Sequence, residues 1–274
     1  MIGVSLLFEM LSGETLLDPA YQALLAAYDG DLEQLLGSLR AQGVGSVEFN
    51  VRRENMDPEA VARAARQCTD AGLGVTIHGQ LRDGEAPADF CRPYEALPSQ
   101  ERYTITLHGL EDMDATVSAL RALATYADDH MPHLFFALEN NRRRANGGAC
   151  QSCALAALAL SLVDHPRVSA CWDFGHFYGN VMNSAESGLL PGQLPPEGFS
   201  ARVVHTHIHG VTGGRTHFPL DGTNLPLERY CALLSRQSYP GTYHLELGFG
   251  RFYPHIEPRQ ALEDSIKILR GVVA

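Results

Sequence analysis

Short apolar, β-branched runs recur along the chain, and most are followed by a stretch with helical spacing. The runs fall at 2–7, 46–51, 74–78, 103–108, 133–139, 168–173, 202–207 and 242–246. Helical patterns are readable at 58–70, 113–129, 153–163, 225–236 and 258–269. Asp57 is a natural N-cap for the first of these, with Pro58 at the first helical position. Strands that alternate with helices predict a parallel sheet. Eight such units in 274 residues predict closure into a single (β/α)8 TIM barrel over residues 1–274. Two stretches fit less well. The segment 79–102 holds prolines, glycines and charges and predicts a short helix or none. The segment 12–30 reads as an addition after the first strand.

The candidate chemistry lies where the predicted strands stop. His78, His108, Glu139, Asp173, His207 and Glu246 end or nearly end successive strands, at steps of 30 to 39 residues. One βα unit takes a little over 30 residues, so each returns to the same height on the next strand. In a barrel of this kind that height is the C-terminal mouth, where active sites are built. Any one of these residues alone would read as a satisfied polar group at a strand end. Six in register predict a metal centre, because converging carboxylates repel one another without a cation. The set is oxygen-rich, which suits Mn, Mg or Co and leaves Zn open.

Composition narrows the partners. The net charge is −11, which disfavours nucleic acid, whose backbone calls for a basic face. A small anionic substrate stays open, because an acidic protein can hold a local basic pocket. Hydrophobic residues make up 45% of the chain, normal for a packed globular protein. The N-terminal residues lack a basic leader and no stretch approaches a membrane span, so a cytoplasmic location is expected. The six cysteines are too sparse for a disulfide framework. Cys150 and Cys153 form a lone CxxC at the start of an alanine-rich helix, read as two buried thiols on one helical turn.

Asp173-Phe-Gly-His176, Glu139-Asn-Asn, His205-Thr-His207-Ile and Glu246 resemble the xylose-isomerase-like barrels over nearly the whole chain. That superfamily includes sugar isomerases, ketose 3-epimerases, dehydroshikimate dehydratases and type IV apurinic endonucleases. The resemblance implies Glu139, Asp173, His207 and Glu246 as metal ligands, with His176 beside the metal on the substrate. His217 matches the family's histidine after strand seven. His205 is expected deeper in the barrel, His209 at the rim and His244 in the core. Barrels of this family often pair, so a homo-oligomer is a further expectation.

Three chemistries follow from the resemblance. The first is a divalent-metal-dependent isomerase or epimerase acting on a sugar, sugar acid or sugar phosphate. It removes an α-proton, with the metal stabilising the enediolate, and Glu139 and Glu246 act as the acid/base pair. The second is phosphodiester hydrolysis by several zinc ions, with His78, His108, His176 and His217 as additional ligands. Arg215 opposes it, standing where those enzymes carry an aspartate. The third is a metal-dependent dehydratase or lyase. A sensor on the same barrel is a non-enzymatic rival. His78, His108 and His217 are thus candidates for further metal or for substrate. Arg142, in the run Arg142-Arg143-Arg144, and Arg215, after Gly213-Gly214, are candidate substrate contacts, because a guanidinium fork suits carboxylate or phosphate. Glu48 reads either as a contact to a distal hydroxyl or as structural.

Overall fold

The structure, a computed structural model, describes residues 1–52, 57–143, 150–183 and 194–273. In chain order its elements are β1 (Ile2–Leu6), α1 (Phe8–Ser12), α2 (Pro19–Ala26), α3 (Leu32–Ala41), β2 (Val44–Asn50), α4 (Pro58–Asp70), β3 (Gly74–His78), α5 (Pro87–Cys91), β4 (Tyr103–His108), α6 (Met113–His130), β5 (Leu134–Glu139), α7 (Cys153–Val163), β6 (Val168–Asp173), α8 (Phe174–Met182), α9 (Glu197–Ser200), β7 (Val203–Ile208), β8 (Gly210–Thr212), β9 (Arg215–Phe218), α10 (Leu227–Arg236), β10 (Thr242–Leu245) and α11 (Pro258–Val273). Strands close into a barrel in the order β1–β10–β7–β6–β5–β4–β3–β2. Every barrel pairing is parallel. The expected (β/α)8 TIM barrel is therefore the observed fold.

Local chemistry explains the helix starts. The Asp57 side chain accepts from the Glu59 N–H ahead of Pro58, and Asp112 and Ser152 cap α6 and α7 in the same way. Each such cap satisfies one of the backbone donors that a helix leaves free at its first turn. The segment 79–102 holds only α5 and a 3-10 turn at Arg92–Tyr94, as its prolines and glycines predict. The stretch after β1 contains α2, and α3 follows it. Ser152 caps α7 while Cys150 precedes that cap, so only Cys153 is helical; both side chains are buried and neither is in a disulfide. Trp172 points out of the barrel into an aromatic cluster with Phe174, Phe177 and Tyr230, as strand alternation requires. Among the described residues no helix is long and apolar enough to cross a membrane.

One feature of the mouth departs from a plain βα repeat. After β7 the chain forms a two-stranded antiparallel hairpin, β8–β9. Its turn is Gly213-Gly214, both at positive φ (57° and 74°). Two successive positive φ angles are what a tight hairpin turn demands, and glycine adopts them without steric cost.

Candidate metal centre

Strand register brings the predicted residues to one level. His108 pairs with Glu139 across β4–β5, and Asp173 pairs with His207 across β6–β7. His207 in turn pairs with His244 on β10, and the Glu246 N–H extends that ladder to the Ile208 carbonyl. Glu139 Oε2 lies 3.2 Å from His78 Nε2, 3.1 Å from His108 Nε2 and 3.3 Å from His207 Nδ1. Asp173 Oδ2 is 3.0 Å from His176 Nδ1, which is 3.4 Å from Glu139 Oε1. Glu246 Oε2 is 3.6 Å from His207 Nδ1 and 3.4 Å from His217 Nδ1. The four ligands expected from the resemblance thus converge, with His78, His108, His176 and His217 around them.

A cavity of about 910 Å³ opens above this cluster. Glu139, Glu246, His78, His108, His176 and His217 line it, with Arg52, Arg142 and Arg251. Asp173 and His207 are fully buried beneath. A smaller cavity of about 420 Å³, beside α10 and α11, is lined by none of the strand-end histidines and carboxylates.

The donor set fits a cation. Glu139 Oε1, His176 Nδ1, His207 Nδ1 and Glu246 Oε2 are buried and make no aligned hydrogen bond among the described residues, although carboxylate and imidazole atoms stand 3.0 to 3.6 Å from them. Buried polar atoms without aligned hydrogen bonds are costly and rare, and here four belong to one cluster, in which Glu139 touches His176 and His207, and His207 touches Glu246. Charge agrees with geometry. Burial would push the Glu139 carboxyl up, but His108 and His207 beside it hold it well below the usual carboxylate range. Burial opposes ionisation of Glu246 likewise, and His207 and His217 bring it down to about 2. Asp173 is held low against burial by His176 and His209. Positive charge from the histidines keeps these carboxylates ionised, and a divalent cation would supply it when bound.

The surroundings contain parts that sequence reading missed. Of the two readings of Glu48, on β2, the geometry fits the structural one. Glu48 is 1% exposed and bridges His207 Nε2 at 2.8 Å and His205 Nε2 at 2.9 Å. With its Nε2–H donated to Glu48, His207 presents Nδ1 to Glu139 and Glu246, protonated while nearby negative charge outweighs burial and raises its pKa, and a lone-pair donor where a cation would replace that proton. This carboxylate–histidine arrangement orients metal-binding histidines in general. His209, expected at the rim, is instead fully buried, because the hairpin folds over it. Its Nε2 lies 3.1 Å from Asp173 and its Nδ1 accepts the His217 N–H at 2.9 Å. Both nitrogens are therefore in use, and His209 braces the cluster. His217 itself has a φ of 64°, unusual for a residue with a side chain. Asn140 ties the ends of β5 and β6 together, accepting the Asp173 N–H and donating to the Asp173 carbonyl.

His205 and His244 lie deep in the barrel, as expected. Arg142 reaches the cavity and donates to Thr216 Oγ1 at 3.5 Å. Arg143 is exposed, and Arg144 lies outside the described residues. Arg215 is exposed on the hairpin, with its guanidinium over the Phe218 ring. Arg251, which no sequence pattern marked, lines the cavity.

A barrel with this constellation at its mouth defines a class, and sequence comparison places the chain in it. The model of the xylose isomerase-like TIM barrel family matches residues 94–272, so the chain belongs to that family. No curated protein matches the sequence. Among solved structures, an L-ribulose 3-epimerase is 18% identical with a TM-score of 0.63, covering 99% of this chain and 96% of that one. A sugar phosphate isomerase/epimerase from Parabacteroides distasonis is 14% identical with a TM-score of 0.65, covering 100% and 96%. The IolI protein, solved with a bound zinc atom, is 13% identical with a TM-score of 0.61, covering 98% and 97%.

Proposed function

We propose that the protein is a divalent-metal-dependent sugar isomerase or epimerase, with Glu139, Asp173, His207 and Glu246 as metal ligands. The observation that carries this reading is the convergence of Glu139 Oε1, His207 Nδ1 and Glu246 Oε2, buried and without aligned hydrogen bonds, under an open cavity. Similar folds include an L-ribulose 3-epimerase and a sugar phosphate isomerase/epimerase, which supports sugar as the substrate class.

A divalent cation bound here would polarise a sugar carbonyl and so acidify the neighbouring C–H. Glu139 and Glu246 are both ionised and both line the cavity, so each can accept a proton from a sugar lying between them. For isomerisation the carboxyl that has taken the proton returns it to the adjacent carbon while a proton passes between the two sugar oxygens; for epimerisation the opposite carboxyl must enter the cycle protonated and deliver its proton to the other face, so the two glutamates exchange protonation states at each turnover. His176, at the cavity wall, would orient the substrate oxygen. Asp173 and Glu48 touch no substrate in this scheme; one completes the ligand set and the other aims His207.

Metal analysis of tag-free protein purified without chelator tests the reading. About one Mn, Mg or Co per chain is expected, together with turnover in a screen of ketoses and aldoses. A metal-free protein after reconstitution would remove the central claim. One observation favours a second reading, hydrolysis of phosphodiesters by several zinc ions: His78 and His108 both face Glu139 Oε2, as ligands to a second cation would. Zinc at two or three per chain would select it. The occupied nitrogens of His209 and the arginine at position 215 weigh against a third ion. His78→Ala separates the two readings. Under the isomerase reading it lowers turnover about ten-fold while most metal stays bound; loss of most metal from that variant would favour the multi-zinc enzyme.

A further inference from the structure

The outer wall of the cavity has a charge opposite to its floor. Arg142, from the loop after β5, and Arg251, from the turn after β10, line the same cavity as Glu139 and Glu246. They flank His217 on two sides. Arg142 donates to Thr216 Oγ1, next to His217 in the chain. Arg251 runs back along Gly248: a β-carbon built there would lie 3.0 Å from Arg251 Cδ, 3.1 Å from its Nε and 3.1 Å from His217 Cβ. Gly248 donates its N–H to the His217 carbonyl, which fixes this approach. Arg215 precedes Thr216 on the same hairpin strand.

These guanidiniums are not spent on internal ion pairs. Among the described residues, arginine–carboxylate pairs involve Arg82, Arg92, Arg167, Arg202 and Arg259. None involves Arg142, Arg215 or Arg251. Partial burial and the charges of Arg142 and Arg215 pull the Arg251 pKa down. Two guanidiniums thus line one cavity on a protein with a net charge of −11, and Arg215 on the neighbouring hairpin adds to their positive charge. The carboxylates of the floor, Glu139 and Glu246, are the charges a divalent cation would neutralise, which would leave the guanidiniums of the wall to pair with an anionic ligand.

We infer that Arg142 and Arg251 form an oxyanion subsite beside the metal centre, with Arg215 on the adjacent hairpin adding to its positive potential, so that the substrate is a sugar bearing a phosphate monoester or a carboxylate away from its reacting carbons. The guanidinium forks would bind the anionic oxygens in pairs, and the sugar would extend from them past His217 to Glu139 and Glu246. The identity of the sugar rests on the isomerase reading above; the anion subsite does not.

Titration of the metal-loaded protein with inorganic phosphate, by calorimetry, reads the subsite without turnover. Arg251→Gln and Arg142→Gln are expected to weaken phosphate binding about ten-fold each. Arg229→Gln, an exposed site on α10, removes the same charge and is expected to leave binding unchanged. Turnover is then compared across a neutral ketose, its terminal phosphate and the corresponding sugar acid. The preferred acidic form identifies which oxyanion the site takes, with a KM at least about ten-fold below the neutral sugar's. That gap should close in Arg251→Gln through KM rather than kcat. Equal phosphate binding by Arg251→Gln and wild type, or equal KM for neutral and acidic sugars, overturns the subsite while leaving the isomerase reading intact. Arginine-dependent phosphate binding without turnover of any sugar does the reverse.

Discussion

Glu246→Gln is expected to lower turnover by about 100- to 10,000-fold, the range for losing a positioned acid/base group. The replacement keeps the shape of the side chain and its reach into the cavity, so the fold should be intact by circular dichroism. The amide cannot accept the α-proton, and that is the step it removes. Glu246 is also a proposed ligand, so the assay must be run with saturating metal and with bound metal measured on the same sample. Low turnover in a folded, metal-loaded variant assigns the loss to proton transfer. Wild-type turnover would take Glu246 out of the acid/base role altogether.

The second large effect is expected at a residue that never meets substrate. Glu48 accepts from Nε2 of both His205 and His207, and those two histidines hold its carboxyl low despite complete burial. In Glu48→Gln one end of the side chain becomes a donor and meets a donor. One histidine must then move its proton to Nδ1 or turn away. If His207 does so, the lone pair it would present to a cation is lost. Metal affinity should fall by roughly 10- to 100-fold, read by competition with a chelator, and the unfolding free energy by about 1–3 kcal/mol. A variant that binds metal as tightly as wild type would show that His207 needs no such aim.

The barrel was legible because its strands are covered on both faces and so read as nearly continuous apolar runs. Their ends fell within a residue or two of the observed bounds. The candidate ligands were legible for a related reason: a constant unit length returns each strand to the mouth, so a residue type recurring at that interval marks one level. What escaped was everything that depends on closure. Glu48 meets His205 and His207 across 157 and 159 residues, from strands that touch neither each other's hydrogen bonds nor any shared motif. His209 was placed at the rim because nothing in Gly213-Gly214 alone shows that the hairpin will fold back over it, although two adjacent glycines were a turn signal open to use. Arg251 sits in a short turn without periodicity, where an arginine ordinarily reads as solvated surface. The helix α3 was missed despite a cap at Asp31 and apolar residues Leu35, Leu36 and Leu39 at helical spacing; that signal was present.

Asp173 ends β6 and, through its Oδ1, accepts the His176 N–H that begins α8, while Asn140 clamps its backbone to β5. A protein engineer who wished to move this centre onto another barrel could not graft side chains alone. The portable unit is a junction: a strand end, the helix it starts and the neighbouring strand's asparagine, taken together with their backbone.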